Sequence, residues 1–580
     1  MFGKVILILA PSPFGHLMTA NSFLTRITLA LFSLGVATSL RAQDPTVVLF
    51  NGKILTVDEN FSMVEALAVT GERIAAVGDS QTIIALAGPG TQRIDLEGST
   101  VIPGLIDNHL HYMRGASRWR FEARIDGITD RDEALRIISA KAKEAGPGEW
   151  VFVAGGWSEQ QFSDGEGGFT TEQLDNVAPD NPVFLQKSYS RAYMNSLAAA
   201  EIGSTGSSGS ARGSSKGSSR GSTGSSRGST GSSRGSKGGK GSGRSSGGAR
   251  GTINAALQNL PERNEAQRIE DAVYFNDYLN QLGLTTIYDV GRESDGNFAP
   301  IESLKQSNQL TVRVFHTLRY NAYSANEVTN AVELIASTSP RTNSDWNGLI
   351  GMGEHVYSPV HDSSMRASLF GRDLWQQYER LAEAAAAGGW HIHEHAMQDS
   401  TAQEILNIGE RLGASHPVKD LRWTLAHCDL ISKESIERAR DLGFTLAVHN
   451  KTAKPVVDGK DSPPVSWMEE SGITWGLGSD GTVVSTVNPF HTLWWVTSGK
   501  VFPDNISIHN PVSREVALTA HTRSNAYLMF KEEDLGSLEV GKLADLVVLD
   551  RDYLSVPVDE IRDIDPTMTM VGGRVVFENK

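Results

Sequence analysis

Two histidines one residue apart, His109 and His111, end the apolar run VIPGLIDNHLH. Alternate side chains of a β-strand share a face, so both imidazoles can reach a single ion. Four other segments end on groups of the same kind. GMGEHVY offers Glu354 and His355, HIHEHAM offers His393 and His395, LAHCDL offers His427, and GLGSDG offers Asp480. Any one of these alone reads as a hydrogen-bonded structural histidine or a turn aspartate. Five such strand ends converging on one rim read instead as a metal site, with His109 and His111 as ligands. Imidazole and carboxylate donors without thiolate suit Zn²⁺, Mn²⁺, Fe²⁺ or Ni²⁺ better than Mg²⁺ or Ca²⁺. Cys428 is the only cysteine, so neither an intramolecular disulfide nor a cysteine-based zinc cluster can form.

The elements that must position these groups alternate short apolar strands with amphipathic helices. STVIPGLIDNH, GLTTIYDVG, LTVRVFHTLRY, GLIGMGEHVY, GWHIHEHAM, LRWTLAHCDL, LGFTLAVHN and GITWGLGSDG make eight candidate strands. Helices such as DLWQQYERLAEAAAAGG separate them and end at glycine. Eight β/α units close a barrel, and catalytic groups on a barrel sit at the C-terminal strand ends. The predicted fold is α/β: a (β/α)8 barrel over 101–529, with a small β-sandwich domain built from both chain ends, 43–100 and 530–580. The stretch 112–281 is an insertion between the first two strands and carries strand-like WVFVAGGW and PVFLQKSYS.

Composition adds exclusions. The net charge is −15, which argues against a nucleic-acid or anionic-membrane partner for the folded part. Ser204–Arg250 inverts that balance with nine Lys/Arg and no acid, so the rest of the chain carries about −24. This Gly/Ser/Arg tract repeats RGSTGSS, has no apolar periodicity and is expected to be disordered. Arginine-glycine tracts that bind RNA usually carry aromatics, and this one has none. Arg26 followed by ITLALFSLGVATSL and RAQDP reads as a signal peptide over 1–42, with Met18 as a plausible true start. That run is too short for a stable membrane span, and it implies export to a bacterial periplasm. GLGSDG also matches a dinucleotide-binding pattern, but Pro489 follows soon after where a clean helix is needed, so the match is accidental.

VIPGLIDNHLH, HEHAM, LAHCDL, GLGSD and the tail GSLEVGKLADLVVLD resemble the amidohydrolase superfamily. In particular they resemble the branch called amidohydrolase family three, which includes N-substituted formamide deformylase-like proteins. GGWSEQQF, LDNVAPDNPVFLQ and MNSLA resemble that branch's insertion. The resemblance runs from about Thr46 to Lys580 and fails across Ser204–Arg250. It implies a divalent-metal cofactor, zinc above all, as one or two ions. His109 and His111 would hold the more buried metal, and His395 and His427 the more exposed one. Asp480 would be both ligand and proton shuttle. Many members bridge two metals with a carboxylated lysine on the fourth strand, and GLIGMGEHV has none. Glu354 could replace it, Lys187 is a rival, and without either the site would hold one metal.

The implied reaction is hydrolysis of an amide-type C–N bond of a small molecule by water that the metal acidifies. An ester, lactone or carbamate is an alternative substrate. A catalytically silent protein that recruits a polyanion through the basic insert is the alternative from another class. His355, His393 and His449 read either as groups that orient ligands or meet substrate, or as core histidines. Trp157, Phe490, Trp494 and Trp495 could line an apolar pocket, or pack as core. A homo-oligomer is compatible with the sequence.

Overall fold

A computed structural model of the chain describes residues 44–207, 246–291, 298–318, 320–341, 344–363, 369–452 and 461–579. The signal-peptide reading over 1–42 lies outside these residues. So does the Gly/Ser/Arg tract between 208 and 245. Its two ends continue the flanking helices Ser196–Ser207 and Ser246–Leu257, a departure from the expected disorder of the whole tract.

Eight strands pair in chain order and in parallel: Leu105–Leu110, Leu284–Asp289, Arg313–Leu318, Asn347–Glu354, His391–Gln398, Thr424–Leu430, Thr445–His449 and Trp475–Gly478. Helices cover the outer face, so most strand residues are buried on both sides and read as apolar runs. Helix Arg372–Ala387 shows how: Trp375, Tyr378, Leu381, Ala382 and Ala385 form its buried stripe, at helical spacing. The ring closes through a parallel bridge between Leu110 and Gly481, giving a TIM-like (β/α)8 barrel.

Strands from both chain ends build the small β-sandwich domain. Leu546–Leu549 pairs antiparallel with Thr100–Pro103, inside a six-stranded sheet. A four-stranded sheet of N-terminal strands packs against it, and Leu49, Leu67, Leu538 and Met570 share one core. The stretch expected to be the first barrel strand is therefore two strands, and the boundary falls at Gly104 rather than at 100. A Cβ at Gly104 would lie 2.2 Å from Thr285 Oγ1, so only glycine lets the chain pass from one sheet to the other here. The insertion carries its own three-stranded sheet, Val151–Val153, Val183–Ser188 and Arg191–Met194.

Candidate metal centre

Where each barrel strand ends, its side chains leave the sheet toward one rim. The seam between strands one and eight runs through the site. His111 N–H donates to the Gly481 carbonyl at 3.0 Å. Asp107, which the sequence reading passed over, braces the same seam: its Oδ1 accepts from the N–H groups of His109 and Ser479, each at 3.0 Å.

Glu354 lies between two histidine pairs. Its Oε1 is 2.8 Å from His395 Nδ1 and 3.0 Å from His427 Nε2. Its Oε2 faces His109 Nε2 at 3.7 Å and His111 Nε2 at 3.9 Å. Asp480 Oδ1 is 3.5 Å from His111 Nε2 and 3.9 Å from His109 Nε2, while Oδ2 is 3.7 Å from His427 Nδ1. Among the described residues, two of the four groups close enough to share an ion contain the expected ligands, His109–His111–Asp480 and Glu354–His395–His427, adjacent to each other and all buried. The six expected ligands are thus brought together from five strand ends.

The donor set fits a divalent cation. His109 Nε2 is buried without a hydrogen-bond partner, and the carboxylate oxygens opposite it lie beyond hydrogen-bond reach. Ligand distances of about 2.0–2.2 Å on either side of an ion would span such gaps.

Neighbours hold these donors in place. His393 Nε2 sits 3.0 Å from His109 Nδ1, which leaves His109 Nε2 to face the carboxylates. His449 Nδ1 is 2.8 Å from His427 Nδ1. Asp362 Oδ1 is 3.2 Å from His395 Nε2, and the Asp362 carboxylate accepts from the N–H groups of Met397 and Gln398 at 3.0 and 2.8 Å. His355 Nε2 is 3.6 Å from Glu354 Oε2, and its Nδ1 is 3.2 Å from His361 Nδ1. Asp362 and His361 belong to the segment YSPVHDS, where no periodicity marks them, so sequence reasoning missed both.

Charge follows from these contacts. Burial opposes ionisation of Glu354, yet the nearby charges of His355 and His109 and the hydrogen-bond contact with His395 hold its pKa well below the usual carboxylate range. Burial works to lower His395, but the Asp362 and Glu354 carboxylates push it up to about 10. His111 is lowered, first by burial and then by the Arg114 charge.

Two expected residues are not brought in. Lys187 is half-buried on the insertion's sheet, and no hydrogen bond or ion pair ties it to the centre among the described residues. Trp157 is fully buried in the insertion's own core beside Phe162 and Phe169, its Nε1 donating to the Gln186 carbonyl at 3.2 Å. Phe490, Trp494 and Trp495 are likewise fully buried, on helix Pro489–Ser498. Of the two readings of these rings, core packing is the one that the structure shows. These rings find complete burial in cores, and the open space beside Glu354 is lined mostly by polar groups, with Ile253, Leu257, Leu318 and Val483 also in the lining. That space is a cavity of about 650 Å³ whose lining includes Glu354, His355, Arg114, Arg118, Tyr189 and Tyr320.

Residues 92–577 match the model of the amidohydrolase family. An N-substituted formamide deformylase from Arthrobacter pascens is 24% identical, covering 92% of this chain and 98% of its own. Protein LONG AFTER FAR-RED 3 from Arabidopsis thaliana is 24% identical, covering 91% of each chain. A metal-dependent hydrolase from Pyrococcus horikoshii, known by crystal structure, superposes with a TM-score of 0.56 at 19% identity, covering 88% of this chain and 99% of that one. That likeness is one of fold. On the family match, the chain belongs to the amidohydrolase family and is a metal-dependent hydrolase acting on carbon–nitrogen bonds.

Proposed function

We propose that this protein cleaves an amide-type C–N bond of a small molecule at a zinc centre held by His109, His111, Glu354, His395, His427 and Asp480. The observation that carries this reading is Glu354, whose two oxygens face different histidine pairs. One carboxylate so placed can serve two ions, in the position where the family's carboxylated lysine is missing. The cation supplies Lewis acidity, polarising a carbonyl and acidifying water.

The protein's own groups do the rest. Asp480, between His111 and His427, accepts the proton released from water at a carboxylate oxygen and returns it to the leaving nitrogen. His393 and Asp362 fix the rings of His109 and His395, so the donor nitrogens stay aimed inward. Burial of the whole cluster keeps bulk water away and strengthens each electrostatic contact.

The similarity to a formamide deformylase supports an amide over an ester, lactone or carbamate. Metal stoichiometry measured together with turnover of an amide and ester panel tests the proposal. Zinc bound at one or two equivalents, with amide cleavage lost to chelation and restored by zinc, is the expected result. Ligand binding without turnover, indifferent to chelation, would sink it and favour a binding protein. We propose further that the chain is exported and cleaved after Ala42, on the signal-like segment. N-terminal sequencing of the mature protein checks this.

A further inference from the structure

We infer that His355, His361 and His395 form an outer cation site on the cavity wall, one that takes a further divalent ion besides the centre described above. The inference rests on the metal-centre reading for its inner neighbour, with which the outer group shares His395. The donor atoms of the three rings lie within 4.8 Å of one another, close enough for one ion. His355 Nδ1 and His361 Nδ1 are 3.2 Å apart, and the ring centres of His361 and His395 are 4.1 Å apart. A tetrahedral ion with bonds of about 2.0–2.1 Å sets its donor nitrogens about 3.3 Å apart, so the His355–His361 spacing already suits one. Exposure is graded along the group: His361 is exposed, His355 partly buried and His395 buried. His355 and His361 both line the cavity beside Glu354.

The backbone that carries the pair is held at both ends. A 3₁₀ turn over Ser358–Val360 brings the chain back, with Val356 and Val360 buried as apolar anchors. Glu394 Oε2 accepts from the Val356 N–H at 3.1 Å, and the Tyr320 hydroxyl donates to the Val356 carbonyl at 3.0 Å. At the other end Asp362 accepts from the N–H groups of Met397 and Gln398. Both fastenings reach the strand that carries His395, so the three rings are presented together and little ordering is left for an ion to impose. His355 turns its other ring nitrogen, Nε2, to Glu354 Oε2 at 3.6 Å, and a carboxylate behind an imidazole raises its basicity as a ligand. Arg114 and Arg118 line the same cavity as Glu354, so net charge does not select a cation there. The nitrogen donors do, and three imidazoles suit zinc better than magnesium or calcium. An ion in this position shares His395 with the centre and fills space beside Glu354, so its binding should inhibit.

The test strips full-length protein with a chelator and measures bound zinc by elemental analysis after dialysis against rising free zinc. The wild type should fill the centre first and then take one further, weaker equivalent. His361→Ala should keep the tight step and weaken the second by about 100-fold, one ligand's share of a four-ligand zinc site. Zinc above the amount that fills the centre should slow turnover in the wild type, and His361→Ala should shift that inhibition to higher zinc. A second measurement needs no variant to fold. Diethyl pyrocarbonate should modify His361 in the wild type, and zinc at the level of the weaker step should protect it, as read by peptide mass mapping. A second step and an inhibition both unchanged in His361→Ala, or His361 modified equally with and without that zinc, overturns the inference and leaves the hydrolase reading standing. If the centre binds no zinc and no amide is cleaved, the hydrolase reading fails, and protection of His361 by zinc decides the outer site by itself.

Discussion

The backbone N–H of Asp480 donates to the carbonyl of His109 at 2.8 Å, across the seam that joins the last barrel strand to the first. Residues 371 positions apart in the chain are thereby neighbours in both backbone and site. Closing the barrel and assembling the metal centre are the same event, and the predictions below follow from that coupling.

Replacing Glu354 by Ala should remove at least one metal equivalent, because both histidine pairs lose their shared carboxylate. Lys187→Ala should leave the metal content at the wild-type value. Elemental analysis of the two purified variants separates the rival bridges.

Asp480→Asn keeps shape and removes the proton acceptor. Turnover should fall by about 100- to 10,000-fold, the usual contribution of general acid–base catalysis, with the loss in kcat. Because an amide oxygen can still face the cation, most metal should stay bound. Steady-state kinetics beside metal analysis reads both outcomes.

Asp362 acts through His395. Asp362→Asn should weaken metal affinity by about 10- to 100-fold, as loss of a carboxylate that orients a ligating imidazole does elsewhere. Competition with a chromogenic chelator measures the change.

Arg313 on the third barrel strand makes two hydrogen bonds to Asp545 of the small β-domain, at 2.8 and 2.9 Å, with both side chains buried. Arg313→Met leaves a buried carboxylate uncompensated and should cost about 3–5 kcal/mol of stability. Adding Asp545→Asn to it should recover part of that loss. Urea unfolding of the single and double variants provides the comparison.

His491 is held neutral, its pKa lowered to about 3 first by burial and then by the Arg562 charge. The unfolded chain therefore takes up this proton first as pH falls through the ordinary histidine range. Stability is lost from about pH 6.5 downward, at up to about 1.4 kcal/mol per pH unit for this one group. Between pH 7.5 and 5.5, His491→Phe should lose less stability than the wild type by about 1 kcal/mol. Denaturant midpoints at the two pH values reveal the difference.

Much of this was legible in the chain itself. All eight barrel strands could be located because a strand buried on both faces must be an apolar run, and the helices between them end at glycine. His-x-His at the end of the first strand announced a metal because alternation alone puts both rings on one face. The four distant partners could be listed for the same reason, since each closes its own strand.

Tertiary structure decided what spacing cannot encode. Glu354 comes between two histidine pairs, and Lys187 does not, because the packing of neighbouring strands, not sequence position, sets which side chains meet. Asp362 and His361 come from a segment with no period, so only folding could reveal that they reach His395 and His355. Trp157 and Trp494 went to cores, and arginines on the helix after His111 took the cavity wall, because large apolar rings gain most from full burial. Residue types named the chemistry; closure of the ring chose which residues share it.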